Sequence, residues 1–277
     1  MDVEDMSKSS GDGPPLPPLP LFKSLREASD VLIAARDDGE LPASMELDEF
    51  FQRIERLLQR IEGGDDLASA ATATDTYVVS VEGLDGCGKS TLVQGLEAAI
   101  EGAAVFRTPP STISSLRPLF DDGNTSERTS RAFYAVTNYL AVEEIQSLGP
   151  RLAILDRFYH STCAYTVSCL SLADLYRADL AVFEWPHDLP RPNLALQLQM
   201  SEEKRKERLA TRQDGHGKWE RLLEADPTFA KRVKTAFSRQ SRNNGNFCKL
   251  TPVDAKGAVG DVLEEAKHAL ENAGFSV

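Results

Sequence analysis

Cysteine is scarce: there are four in 277 residues (Cys87, Cys163, Cys169 and Cys248), with no CxxC spacing and no paired histidines. Neither a disulfide framework nor a zinc site is expected, and the thiols read as reduced. Histidine is equally sparse, and His160, His187, His216 and His268 make no ligand spacing. His160 lies nearest the residues singled out below and is expected to be structural or to stand behind the site. No apolar run approaches the ~20 residues that cross a bilayer, so no membrane partner is expected. The opening segment MDVEDMSKSSGDGPPLPPLP lacks the apolar stretch of a secretory signal and the arginines of a transit peptide, so a cytoplasmic setting is expected. Nor is there an excess of basic residues: the net charge is −12. Residues 1–75 carry 17 acids against 7 bases, while the remainder is nearly balanced, with 26 against 24. Nothing here forms the basic footprint of a nucleic-acid binder.

The chain divides by composition. Residues 1–20 read as a disordered, acidic, proline-rich tail; its PPLPPLP run is a spacer or a weak site for an SH3-like partner. Residues 21–64 read as a helical N-terminal extension. Leu21, Leu25, Ala28, Leu32 and Ala35 recur at helical spacing over Leu21–Arg36. A second helix, Met45–Ile61, places Leu47, Phe50, Phe51, Ile54, Leu57, Leu58 and Ile61 on one face. These faces are expected to cover each other and the surface of the main domain. Residues 65–75 are a linker.

From residue 76 to 277 the pattern becomes strand, helix, strand. Strands are expected at Tyr77–Glu82, Ala103–Arg107, Leu152–Asp156, Leu194–Met200 and Phe247–Val253. Helices are expected between them, among them Ser90–Ala99, Arg128–Leu148 and Glu202–Arg212, with Gly260–Asn272 closing the chain. Short apolar strands alternating with helices predict an α/β domain with a parallel sheet covered on both faces.

The first strand runs into Gly83-Leu84-Asp85-Gly86-Cys87-Gly88-Lys89-Ser90-Thr91, a match to GxxxxGK(S/T) placed between a strand and a helix. Glycines let backbone N–H groups converge on phosphate, and the helix N-terminus adds its dipole. Lys89 is expected on the β- and γ-phosphates and Ser90 on Mg²⁺. Such a loop serves GTPases, motor ATPases and small-molecule kinases alike. The chain has neither an NKxD base reader nor an Asp-Glu pair at the end of a long apolar strand. A kinase acting on a small acceptor is what remains, with ATP as co-substrate.

A second apolar strand delivers Asp156 and Arg157 at its C-terminal end, where open α/β sheets bind ligands. Asp156 suits Mg²⁺, and Arg157 suits an acceptor phosphate held by two hydrogen bonds. Ser201–Glu220 opens with an N-capping serine and two acids. Arg205, Arg208 and Arg212 follow on one face, then Gly215 and Gly217 as a turn. This is the pattern of a lid that closes over phosphates with arginines.

The segments EGLDGCGKST, RTPPSTISSLRPLFDDG, SRAFYAVTNYL, ILDRFYHSTCAY and FEWPHDLPRPNLALQLQMSEEKRKERL come in that order. Together they resemble the thymidylate kinases, with the likeness running toward the UMP-CMP kinase 2 branch, a mitochondrial type. The resemblance spans Thr76 to the C-terminus. It implies a P-loop NTPase three-layer sandwich with a five-stranded parallel sheet and an arginine-bearing lid. It implies ATP-dependent phosphorylation of a pyrimidine (deoxy)nucleoside monophosphate, feeding pyrimidine nucleotide synthesis. Nucleotides are then the partners, and a homodimer is allowed. By the same resemblance Asp85 meets the sugar of the monophosphate, and Arg107 and Arg157 face its phosphate. Phe133 stacks on the base, with Asn138 near it, and Arg208 and Arg212 act from the lid. The family usually places an arginine a few residues beyond the aromatic, and the stretch Phe133–Asn138 has none, so the base is left open. Two other readings stand beside this one: a deoxynucleoside kinase, and a nucleotide-binding interaction module built on the N-terminal extension.

Overall fold

The computed structural model describes residue 19 and residues 21–64, 67, 76–178, 183–210, 222–223, 225–241 and 247–277. Helices α1 (Leu25–Asp37) and α2 (Met45–Glu62) precede the strands. Then come β1 (Tyr77–Glu82), α3 (Lys89–Ala99), β2 (Ala103–Arg107), α4 (Arg117–Asp121), α5 (Glu127–Leu148), β3 (Leu152–Asp156), α6 (Tyr159–Val167) and α7 (Leu172–Arg177). The order ends with β4 (Leu194–Gln199), α8 (Glu202–Ala210), α9 (Pro227–Ser241), β5 (Leu250–Asp254) and α10 (Val259–Asn272). Among the described residues no helix is long and apolar enough to cross a membrane.

The strands form one parallel sheet in the order β2-β3-β1-β4-β5. Their residues are apolar on both sides because both sides are covered, as a parallel sheet requires. On one side α3 and α10 pack Leu92, Val93, Leu96, Val262 and Leu270 against Val79, Val81, Ile154 and Leu196. On the other, α5, α6 and α9 pack Val136, Leu140, Cys163 and Phe237 against Leu155 and Ala195. The expected α/β class with five parallel strands is what is found. Register brings the strand ends together on one rim: Val81 of β1 and Arg107 of β2 both lie opposite Asp156 of β3.

Several boundaries differ from the expectation for local reasons. α1 starts at Leu25, not Leu21, because Ser24 caps it, its Oγ accepting from the Glu27 N–H at 3.2 Å. β5 starts at Leu250, not Phe247: its pairing with β4 begins at Ala195 opposite Leu250, and the Phe247 ring joins a cluster with Tyr159, His160 and Trp185. Of the helix expected over Glu202–Arg212, Glu202–Ala210 is described; Arg212, Gly215 and Gly217 lie outside the described residues, as do residues 1–18 and 20, and with them all of the proline run but residue 19.

The α1–α2 hairpin shares its core with the sheet domain. Its buried Leu25, Leu32, Phe50, Phe51, Ile54 and Leu57 belong to the hydrophobic cluster that holds Phe133, Val136 and Leu140 of α5. The Phe50 ring lies 5.6 Å from that of Phe133. Polar ties fix the hairpin to α5: Arg53 donates to Glu143 at 2.7 Å, and the Thr129 hydroxyl donates to Glu40 at 2.9 Å. At the other end, Asp188 of the WPHDLP loop accepts from the Leu25 N–H at 2.8 Å and from the Tyr139 hydroxyl at 2.5 Å. Each buried large apolar side chain contributes roughly 1.5–3 kcal/mol. The hairpin's apolar faces therefore meet α5 as well as each other.

Candidate active site

The loop after β1 needs glycine for two physical reasons. Gly83, Gly86 and Gly88 take φ of 139°, 83° and 97°, conformations that strain any other residue. A Cβ on Gly86 would also come within 2.7 Å of Cγ of Leu209 in α8. α8 thus rests directly on the loop. Gly88 turns the chain into α3, whose N-terminal N–H groups open toward the rim.

The side chains of this rim are paired with one another. The Lys89 ammonium is buried; it donates to the Leu84 carbonyl at 2.8 Å and lies 3.8 Å from the Asp85 carboxylate. The Ser90 hydroxyl donates to Asp156 at 3.1 Å. Arg157 is the non-glycine residue with positive φ (71°) among the described residues. Its own N–H donates to the Val81 carbonyl at 3.1 Å. Its guanidinium donates to the Gly83 carbonyl at 2.9 Å, to Ser161 at 3.2 Å and to Asp85. Asp85 also accepts from the Tyr165 hydroxyl at 3.2 Å. Burial alone would raise the Asp85 carboxyl; the charges of Arg157 and Lys89 outweigh it and hold it down at about 2. One loop acid is therefore shared by two cations, both of which meet its Oδ1.

The remaining expected residues divide. Arg107 is exposed at the end of β2, beside Asp156 in register. Arg208 donates to the Cys87 carbonyl at 3.3 Å and to the Ala255 carbonyl at 3.2 Å, so it lies across the loop. Arg205, grouped with it by spacing, is fully buried; it pairs with Glu202 and donates to the Asp85 carbonyl at 3.1 Å. Leu84 and Cys87 are buried within the loop, and Thr91 is exposed. Phe133 requires a correction: it is fully buried, with the Phe120 ring stacked on it at 4.1 Å and 8° and Phe50 beside it. Its π-face is occupied by α4, so in this structure it is a core residue. Asn138 is also buried, its amide donating to the Tyr134 and Ala135 carbonyls and to Thr162, with Oδ1 unpartnered. Tyr165 and Glu82, which the sequence did not single out, stand at the centre of the cluster. Glu82 precedes the glycine loop and Tyr165 lies eight residues beyond Arg157, so proximity in sequence to each motif was their only signal.

Ser90 and Asp156 present two oxygens to the helix N-terminus, which fits a hard divalent cation completed by phosphate oxygens and water. Among the described residues no group of three His, Cys, Asp or Glu forms a metal cluster. A glycine loop feeding a helix, an Asp-Arg pair at the end of the neighbouring strand and an arginine helix lying across the loop define a P-loop α/β protein of the small-molecule kinase class.

The thymidylate kinase family model matches residues 81–265. The chain is 30% identical over 204 residues to thymidylate kinase of Halorhodospira halophila, covering 68% of this chain and 91% of that protein. It is 35% identical over 199 residues to human "UMP-CMP kinase 2, mitochondrial", covering 70% of this chain and 42% of that protein. It thus spans less than half the length of the human relative. The solved structure of Candida albicans thymidylate kinase superimposes with a TM-score of 0.55 at 20% identity, over 71% of this chain and 92% of that one, and shares the fold. The chain belongs to the thymidylate kinase family. The matches bear out the expected family, fold class and enzyme class, a nucleoside monophosphate kinase, and with it a nucleotide substrate and ATP as co-substrate. The hairpin α1–α2 lies outside the residues that the family model matches.

Proposed function

We propose that the chain transfers the γ-phosphoryl group of ATP to a pyrimidine nucleoside monophosphate, giving ADP and the diphosphate. The observation that carries this reading is the sharing of Asp85 by Lys89 and Arg157. Lys89 belongs to the phosphate loop and serves the donor. Arg157 directly follows β3 and serves the acceptor. When both phosphates enter, both cations turn to them, and the freed Asp85 carboxylate accepts from a hydroxyl of the acceptor's sugar. The α3 N-terminus and loop N–H groups hold the donor phosphates. Arg107 adds charge on the acceptor side of the rim, and Arg208 and Arg212 add it from the lid. Ser90 and Asp156 are the residues that would hold Mg²⁺, which when bound neutralises charge on the β- and γ-phosphates. The chemistry is positioning and charge stabilisation, with no covalent intermediate. Two basic side chains on the acceptor side favour a charged acceptor over a free nucleoside. The human relative carries "mitochondrial" in its name, so a mitochondrial setting stands beside the cytoplasmic one as a proposal.

Asp85→Ala tests the reading. The Michaelis constant for the monophosphate is expected to rise much more than that for ATP. Equal effects on both would remove Asp85 from the acceptor site.

A further inference from the structure

Behind Arg157 lies a buried polar chain that the phosphate contacts do not use. Glu82, the last residue of β1, and His160, three residues past Arg157, are both fully buried. Ser161 donates one hydroxyl bond to Glu82 Oε2 and accepts another from Arg157. The other carboxylate oxygen, Oε1, has no hydrogen-bond partner. It faces His160 Nδ1 at 3.7 Å, and Nδ1 has none either. The tautomer is constrained from the far side: Nε2 lies 2.8 Å from the Cys248 carbonyl, which can only accept, so Nε2 carries a hydrogen. Nδ1 can then answer Glu82 only as the second N–H of an imidazolium. A carboxylate without charge compensation at a fully buried position is costly, and two facing acceptors would add to the cost. Burial would raise the Glu82 carboxyl, but His160, Ser161 and Arg157 outweigh it and keep it below its ordinary value. The pair is enclosed by Trp185 and Phe247, with Gln240 of α9 donating to the His160 carbonyl at 3.0 Å. Arg157 and the Cys248 thiol complete its titratable surroundings.

We propose that His160 is a positioning residue for the acceptor phosphate: it holds Glu82, Glu82 holds Ser161, and Ser161 fixes the guanidinium of Arg157 at the angle a monophosphate needs. This rests on the reading of Arg157 as the acceptor-phosphate clamp. The chain also ties Arg157 to the end of β1, so the two halves of the site are braced from beneath. Its partners are a backbone carbonyl and buried side chains, so it does not depend on nucleotide being present.

The test uses the full chain and a coupled ADP-release assay, with unfolding midpoints recorded for every variant. His160→Asn keeps a donor near Nδ1, and His160→Gln moves the donor toward the Cys248 carbonyl. The Gln variant is expected to raise the Michaelis constant for the monophosphate roughly tenfold, the loss of one charge-assisted contact, with that for ATP within about twofold. The Asn variant is expected to restore most of it. Glu82→Gln should reproduce the Gln variant, and the double variant should be no worse than either single one, because both cut the same chain. Ser161→Ala cuts the chain at its other end and stands in if a Glu82 variant does not fold. Equal effects of Asn and Gln, equal effects on both Michaelis constants, or additive losses would overturn the proposal. Arg157→Ala separates the two levels. If it leaves the monophosphate Michaelis constant unchanged, the clamp reading fails. If it raises that constant while the His160, Glu82 and Ser161 variants do not, only the positioning role fails.

Discussion

Replacing Asp85 by asparagine removes the charge that Arg157 and Lys89 share while keeping the side chain's size. The folded carboxyl is held at about 2 against an ordinary 3.8, because the two cations outweigh the effect of burial. That difference corresponds to about 2 kcal/mol of stability at neutral pH. The Asp85 side chain is 18% exposed, so screening by solvent takes little of it. The sign follows from the direction of the shift: a carboxyl depressed on folding stabilises fully above its unfolded value and loses that contribution as pH falls toward its folded value. Roughly half should be gone by pH 3. Urea unfolding of the parent and Asp85→Asn at pH 7, 5 and 3 measures this. The expected gap is about 2 kcal/mol at pH 7 and 5, a fall in melting temperature of roughly 5 °C, and about 1 kcal/mol at pH 3. A gap that does not narrow between pH 5 and pH 3, or a variant as stable as the parent at pH 7, refutes the shared-acid account.

Phe50→Ala opens a cavity between α2 and the stacked Phe133–Phe120 pair, and a loss of about 3–5 kcal/mol is expected in one unfolding transition of the whole chain. A separate early transition for the hairpin, with the main transition unmoved, would show two independent units. Gly86→Ala forces a methyl to within 2.7 Å of Leu209 at a φ of 83°, so ATP affinity and stability should both fall, checked by isothermal titration and thermal unfolding. Unchanged ATP affinity would mean that α8 does not need to rest on the loop. Lys89→Ala is expected to abolish turnover while the fold is kept, read by ADP release and circular dichroism.

The strand runs, the glycine loop and the Asp-Arg pair were legible because each is local: alternation of apolar segments, and short motifs at strand ends. What escaped depends on residues far apart in sequence. The resemblance put Phe133 on the base, yet Phe120 and Phe50, from two other helices, occupy its ring. Arg205 was grouped by spacing with the arginines of a closing lid, but Glu202, three residues earlier, neutralises it and lets it turn under α8 onto the loop. Tyr165 carries no motif of its own; the first turns of α6 bring it over Arg157, 5.4 Å from ring centre to guanidinium, and onto Asp85. The extension was readable as two helices, but not that its loop would cap α5 through Glu40.

The account's central claim is that this chain phosphorylates a pyrimidine monophosphate, with one loop touching donor and acceptor. Coupled ADP release over UMP, CMP, dUMP, dCMP and dTMP, with free nucleosides as controls, tests it most directly. ADP formation that requires at least one of the five monophosphates and disappears in Lys89→Ala is the predicted result. No turnover with any of the five, or turnover with nucleosides alone, contradicts it.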